Sequence, residues 1–170
     1  MKTVVAYESM YGNTRQVAEA IAEGLGKAKV ISVNRGDGGA EEAEVVSVGG
    51  PTHMHGLATS MSRKGVGAGA KEEGTELEPG AADGPGLREW LSKLEGEGRR
   101  AAAFDTRIDK SPMLTGAASR GIAKRLRRRG YDVVADPESF FVEDSEGPLA
   151  DGELERAKAW GAELATKLGQ

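Results

Sequence analysis

Thr3-Val4-Val5-Ala6-Tyr7-Glu8-Ser9-Met10-Tyr11-Gly12-Asn13-Thr14 joins a strand pattern to a helix pattern near the start of this 170-residue chain. Thr3 to Tyr7 is a short apolar run of strand character, and an amphipathic helical pattern begins near Thr14. Between them lies a hydroxyl-rich turn, Ser9 to Thr14, with no acidic residue inside it. A strand that ends in such a turn aims the unpaired N–H groups of the next helix, and the positive end of its dipole, at an anion. Ser9, Thr14 and Tyr11 carry hydroxyls, Gly12 can take a positive φ, and Asn13 can bond its own backbone. The turn reads as a phosphate cradle. It has one glycine, not the G-x-G-x-x-G of a dinucleotide loop, and no Gly-Lys-Ser/Thr of a Walker loop. Only Glu8 stands where a phospho-acceptor domain would need paired carboxylates.

Further strand-like runs follow at Val30 to Val33, Val45 to Val48 and Ala101 to Phe104. A last one is interrupted by Pro137, giving Asp132 to Ala135 and Ser139 to Val142. These Val-rich runs lack strict alternation, which suits parallel strands covered on both faces. Helical stripes alternate with them. The first holds Val17, Ala18, Ile21, Ala22 and Leu25 and stops at Gly26; the others are Leu87/Trp90/Leu91/Leu94, Ala118/Ile122/Ala123/Leu126 and Leu154/Ala157/Gly161/Leu164/Leu168. The expectation is an α/β fold, a doubly wound open sheet of five parallel strands with helices on both faces. Pro137 cannot donate to a ladder, so the fifth strand should be split there or leave the edge. Asn34 to Glu44 is glycine-rich and acidic, so the helix there should be short or missing. Lys64 to Gly86 holds seven glycines and few apolar side chains, and reads as a long loop, either mobile or a lid.

The length suits a single domain, residues 1–170. With no cysteine there is neither a disulfide scaffold nor a thiolate metal site, and a reducing, cytoplasmic compartment is expected. No apolar run approaches the roughly 20 residues of a membrane span. Twenty-three basic against 27 acidic residues give a net charge of −4, which argues against nucleic acid as a partner.

After the third strand comes Gly49-Gly50-Pro51-Thr52-His53-Met54-His55-Gly56, and after the fourth Asp105-Thr106-Arg107-Ile108-Asp109. With Ser9, Gly12, Asn13 and Thr14 in the first turn and Gly50-Pro51-Thr52 in the second, the chain resembles the flavodoxin family, whose first loop holds the phosphate of FMN and whose second runs along the isoalloxazine ring. The resemblance covers nearly the whole chain in element order and implies a strand order of 2-1-3-4-5. The first and third strands then form a topological switch, outside whose carboxyl ends ligands of open α/β sheets bind. The cofactor residues it implies are Ser9, Met10, Tyr11, Gly12, Asn13 and Thr14, then Pro51, Thr52, His53, Met54, His55 and Gly56, then Asp105, Thr106 and Arg107. No catalytic residue is implied beyond the surroundings of the cofactor.

This sequence departs from the family in two ways. The aromatic pair that usually sandwiches the ring is missing, since no aromatic stands in Asp105 to Thr115 and Met54 or a His replaces the first. Tyr7, Phe104, Phe140, Phe141, Trp90 and Trp160 read as core. The charge is also milder than is usual for acidic electron carriers. Arg107 has two readings: a surface pair with Asp105 or Asp109, or a cation beside N1 and O2 of the ring, which would favour two-electron chemistry. His53 and His55, the only histidines, are either solvated or packed on the ring, and without a third ligand a metal site is not expected. Arg125 to Arg129 reads as a solvated basic helix end, with docking of an acidic partner as the alternative. The resemblance implies FMN-dependent electron transfer to a redox partner protein. Two alternatives are an FMN-dependent NAD(P)H:quinone oxidoreductase acting on a small quinone and a nicotinamide, and a flavin-free interaction or regulatory module.

Overall fold

The computed structural model describes residues 1–36, 38–53 and 56–169. Five elements form the spine of the sheet: β1 (Thr3–Tyr7), β2 (Ala28–Ser32), β3 (Val45–His53), β5 (Arg100–Ile108) and the divided last strand, β6 (Asp132–Val133) with β7 (Glu138–Val142). They run parallel in the order β2-β1-β3-β5-β6, with β7 also on β5. This is the doubly wound order expected. The break at Pro137 leaves both halves on the same edge, each paired with β5. A two-residue strand, β4 (Gly56–Leu57), folds back antiparallel on the end of β3.

Helices cover both faces because side chains alternate along each strand. Val4 and Ala6 of β1 pack with α3 (Leu87–Ser92) and α5 (Ala118–Arg128) on one face. Val5 and Tyr7 pack with α1 (Asn13–Leu25) and α6 (Glu153–Leu168) on the other. Phe104, Phe140 and Trp160 meet edge to face, with centroids 6.0–6.4 Å apart, and fill the second layer. Two members of the expected core lie elsewhere: Leu154 is exposed, and Phe141 is half-buried beneath the guanidinium groups of Arg107 and Arg156, whereas Trp90, half-buried, packs against the first layer.

Two further expectations are corrected. Strands β3 and β5 run well beyond Val48 and Phe104, so Gly49 to His53 and Asp105 to Ile108 are paired strand, not loop: Gly49 lies opposite Phe104, Gly50 opposite Asp105 and Pro51 opposite Thr106. Gly49 is required by that packing, because a Cβ there would sit 2.1 Å from the Phe104 ring. Residues 64–86 are not one long loop. Ser60 to Glu73 form a helix, α2, whose start is fixed by a capping box between Thr59 and Ser62. Its glycines hid it, since each costs about 1 kcal/mol relative to alanine in a helix interior. The segment that follows is bound down by the buried Arg63, which donates to the carbonyls of Ala81 and Gly84, and by Asn34, which donates to Pro85 O. A four-residue turn of helix, α4 (Pro112–Thr115), precedes α5. Between β2 and β3 the described residues carry turns and no helix, as expected.

Candidate functional site

At the carboxyl edge of the sheet the ends of β1, β3 and β5 open into one cavity of about 870 Å3. That size suits a nucleotide-like ligand, since small-molecule sites span roughly 300–1,000 Å3. The first turn supplies Ser9, Met10, Tyr11, Asn13 and Thr14; β3 supplies Pro51, Thr52 and His53; β5 supplies Thr106 and Arg107. These are ten of the expected site residues, brought together from three segments. Gly12, Gly56 and Asp105 do not line the cavity, and Met54 and His55 lie outside the described residues.

The first turn is shaped by Gly12, whose φ of 95° is a left-handed conformation that a side chain would strain. The hydroxyl of Ser9 accepts from Gly12 N at 3.1 Å, and the buried Asn34 accepts from Ser9 N at 3.0 Å. Helix α1 then begins with no side-chain cap and no acidic residue in its first turn. Among the described residues no acceptor meets the amides of Asn13, Thr14 and Arg15. Thr14 Oγ1 lies 2.8 Å from Thr106 Oγ1, which ties this turn to β5.

His53 is held against α2, its Nδ1 3.4 Å from Ser62 Oγ. Burial, and then the charge of Arg63, push its pKa down, so the ring is neutral at pH 7. The ring is thus packed and not solvated, and no metal-binding cluster occurs among the described residues.

Arg107 makes no ion pair with Asp105 or Asp109, contrary to the surface-pair reading. Its Nε donates to Ser139 Oγ (3.0 Å), its Nη1 to Lys110 O (2.6 Å) and Thr115 Oγ1 (3.3 Å), and its guanidinium lies 5.0 Å from the centroid of Phe141. A cation held by neutral acceptors at a cavity wall keeps its charge for a ligand.

Asp105 turns away from the cavity. Its Oδ2 accepts from Ser119 N (2.8 Å), and Thr52 Oγ1 accepts from Ala118 N (3.0 Å), so β5 and β3 cap α5. Glu8 does the same for α3, accepting from Leu87 N at 2.7 Å. Both carboxyls are fully buried, each with its second oxygen unpaired, and burial pushes both pKa values up.

Sequence reasoning missed two walls. Met61, Ser62, Gly65 and Val66 of α2 line the cavity, as do Val142 at the end of β7 and Ser145 beyond it. Asn13 Nδ2 donates to Glu146 O and anchors that last wall. Glu78 crosses over the first turn, its amide donating to Met10 O and its carboxylate 2.6 Å from Arg15 Nε. The Thr59/Ser62 spacing was the one available signal, because a Thr followed three residues later by a hydroxyl can close a capping box.

The family model described as flavodoxin matches residues 5–104, more than half of the chain. The chain belongs to the flavodoxin family. The matched stretch holds the first turn and the Gly50-Pro51-Thr52 segment and ends just before Asp105 to Arg107. Among solved structures, a flavodoxin from the domain Archaea is similar at 24% identity over 100% of both chains, with a TM-score of 0.66. Oxidised flavodoxin 1 from Bacillus cereus is similar at 21% over 98% of each chain, with a TM-score of 0.66. A flavodoxin, WrbA-like protein from Agrobacterium tumefaciens shares 20% over 97% of this chain and 95% of its own, with a TM-score of 0.59. These likenesses establish the flavodoxin fold. A comparison with curated proteins finds no match. No helix among the described residues is long and apolar enough to cross a membrane.

Proposed function

We propose that this chain binds FMN noncovalently in the cavity and serves electron transfer, as a single cytoplasmic domain working with a redox partner protein. The observation that carries this is the uncapped start of α1, which leaves backbone donors and the positive end of a helix dipole facing a cavity walled by all three strand ends. The phosphate would take the amides of Asn13 to Arg15 and the hydroxyls of Ser9 and Thr14. The ring would lie by Pro51, Thr52 and His53, with Arg107 at its edge and Met10, Tyr11 and Thr106 closing the site. Bound FMN would supply one- or two-electron chemistry with its accompanying protons. Asp105 acts behind the site, fixing α5 and through it the position of Thr52.

The described lining is poor in aromatics, with Tyr11 and the His53 imidazole its only rings. Aromatic pairs contribute about 0.5–1.5 kcal/mol beyond area burial, so FMN affinity should fall one or two orders of magnitude below that of a ring sandwiched by two aromatics. The test is FMN titration of the purified protein, followed by visible absorbance and flavin fluorescence. Quenching with a perturbed flavin spectrum is expected. Unchanged fluorescence would remove every redox reading and leave a flavin-free module.

One observation favours a second reading. Arg107 stands at the cavity wall with neutral hydrogen-bond acceptors and no ion pair among the described residues, and its charge would stabilise negative charge on the ring and suit two-electron exchange between a nicotinamide and a quinone. Oxidation of NAD(P)H with a quinone acceptor separates the two, being silent for a carrier and active for an oxidoreductase.

A further inference from the structure

From Lys110 to Tyr131 the chain holds seven Lys and Arg and no acidic residue, within a protein of net charge −4. Six of the seven belong to α5 and its end. Arg120, Lys124 and Arg127 recur at i, i+4 and i+7, so they share one face, and all three are exposed. Among the described residues no ion pair uses any of these six side chains. Arg125 and Arg129 donate only to the carbonyls of Gly121 and Leu94. Burial, then the charges of Arg88 and Arg128, push the pKa of Arg125 down, so like charges crowd this face.

Just ahead of α5 in the chain, across Gly116 and Ala117, stand two of the most exposed apolar side chains of the molecule, Met113 and Leu114 of α4, 92% and 65% accessible. Their position follows from Arg107: the cavity-lining guanidinium holds Lys110 O on one side of α4 and Thr115 Oγ1 on the other. The start of α5 is likewise fixed to the cavity wall, through Thr52 and Asp105. The apolar knob and the cationic ridge thus run outward from the wall of the proposed cofactor site.

We propose that the α4 knob and the cationic face of α5 form the docking surface for an acidic redox partner protein, which reaches the cofactor across Met113 and Leu114. The inference rests on the electron-transfer reading above. A protein fits better than a bilayer because Ala118, Ile122, Ala123 and Leu126 bury the apolar side of α5 in the core, leaving two side chains to enter lipid. A negative net charge opposes nucleic acid. Cations on the rim steer an acidic partner and set orientation, while the small apolar contact lets it leave.

The test titrates the 15N-labelled protein, with FMN added, with three probes: an acidic plant-type ferredoxin, a basic cytochrome c, and vesicles of phosphatidylcholine and phosphatidylglycerol. Shifts on α4 and α5 with the ferredoxin are expected, weakening about tenfold as salt rises severalfold. The triple variant R120E/K124E/R127E should lose binding by about 30-fold or more, and R120Q/K124Q/R127Q by an intermediate factor. Reversal of Lys158 and Lys167 on α6 should change nothing. Preference for cytochrome c, indifference to the α5 reversal, no binding to the ferredoxin, or capture by vesicles in place of the ferredoxin would each overturn the proposal. Failure of the cofactor reading shows separately, as absent flavin quenching in the same samples, while the shifts still report docking.

Discussion

Helices α1 and α5 both begin at the carboxyl edge of the sheet, and their first turns are treated in opposite ways. The α5 amides at Ala118 and Ser119 are met by Thr52 and Asp105, side chains of neighbouring strands. At α1, no such acceptor meets Asn13, Thr14 or Arg15 among the described residues, although hydroxyls crowd the turn. Helix α3 follows α5, with Glu8 as its acceptor. A buried helix start needs partners for its orphan donors. Where the fold supplies them from a strand, the helix start is structural; where it leaves them open beside a cavity, the proposed FMN phosphate would be the partner. Glu8, just past β1, and Asp105 of β5 flank Gly50 of β3, so the strand-end carboxylates serve helices, while the carboxylate that reaches the α1 turn, Glu78, is held by Arg15.

The most direct way to break this contrast is to place an acidic residue in the first turn of α1 itself, which has none. Asn13→Asp puts a negative charge at the first helical position, at a distance of order 5 Å from a bound phosphate. At a partly buried site that repulsion is worth about 2–3 kcal/mol, so FMN affinity should fall roughly 30- to 100-fold. Helix α1 itself should gain a few tenths of a kcal/mol from its dipole. Asn13→Ala removes the contact with Glu146 O without adding charge, and should cost far less affinity. Fluorescence titration measures both; equal losses would show that the charge at this turn is irrelevant.

Removing a strand-borne cap has the converse effect. Asp105→Ala leaves the buried Ser119 amide without a partner and should destabilise the fold by about 1–3 kcal/mol, read from urea unfolding. Asp105→Asn retains an oxygen for that amide and should recover most of the loss. If both variants unfolded alike, the cap would not be what Asp105 contributes.

The sequence disclosed the α1 side of this comparison and not the α5 side, for a physical reason. A helix start open to a ligand is local: Ser9, Gly12, Asn13 and Thr14 lie within six residues, and their hydroxyls and flexible backbone show in the string. A cap that crosses from Asp105 to Ser119, or from Glu8 to Leu87, depends on strand register and helix placement. Asp105 therefore passed for a cofactor residue, and Glu8 was seen only as half of a missing carboxylate pair. Strand order and the split at Pro137 were legible, because Val-rich runs and proline act through nearest neighbours. Helix α2 was illegible because three glycines within it outweigh its one signal, the Thr59/Ser62 box. The α2 wall of the cavity was lost with it.

The buried caps also make stability depend on pH in a defined direction. Burial raises the folded-state pKa of Glu8 and of Asp105 above the unfolded values. Their contribution is therefore fully present below the unfolded pKa of about 4 and is lost as pH rises through the folded values. Other carboxylates, such as Glu153, shift the opposite way, so the comparison must be with the variants. The double variant E8Q/D105N should gain stability relative to wild type as pH rises from 4 to 8. A constant difference across that range would mean that neither group binds its proton more tightly in the folded protein.

The smallest effect belongs to α2, which caps itself. Thr59 accepts from Ser62 N and Ser62 Oγ from Thr59 N, so this helix needs neither a strand carboxylate nor a ligand. Thr59→Ala should cost about 1 kcal/mol, a drop of roughly 2–4 °C in Tm for a chain of this size. Because Gly65, Gly67 and Gly69 already weaken the helix, the loss should appear mainly as local opening. Amide exchange should quicken over Ser60 to Glu73 while the amides of β1 and β3 keep their protection. Uniform acceleration would instead make α2 part of the cooperative core. Met61, Ser62, Gly65 and Val66 line the cavity, so a locally loosened α2 should weaken FMN binding only severalfold, far less than the carboxylate at Asn13. That ranking follows from the contrast between the helix starts: α2 walls the cavity, whereas the first turn of α1 is the part that the proposed FMN would complete.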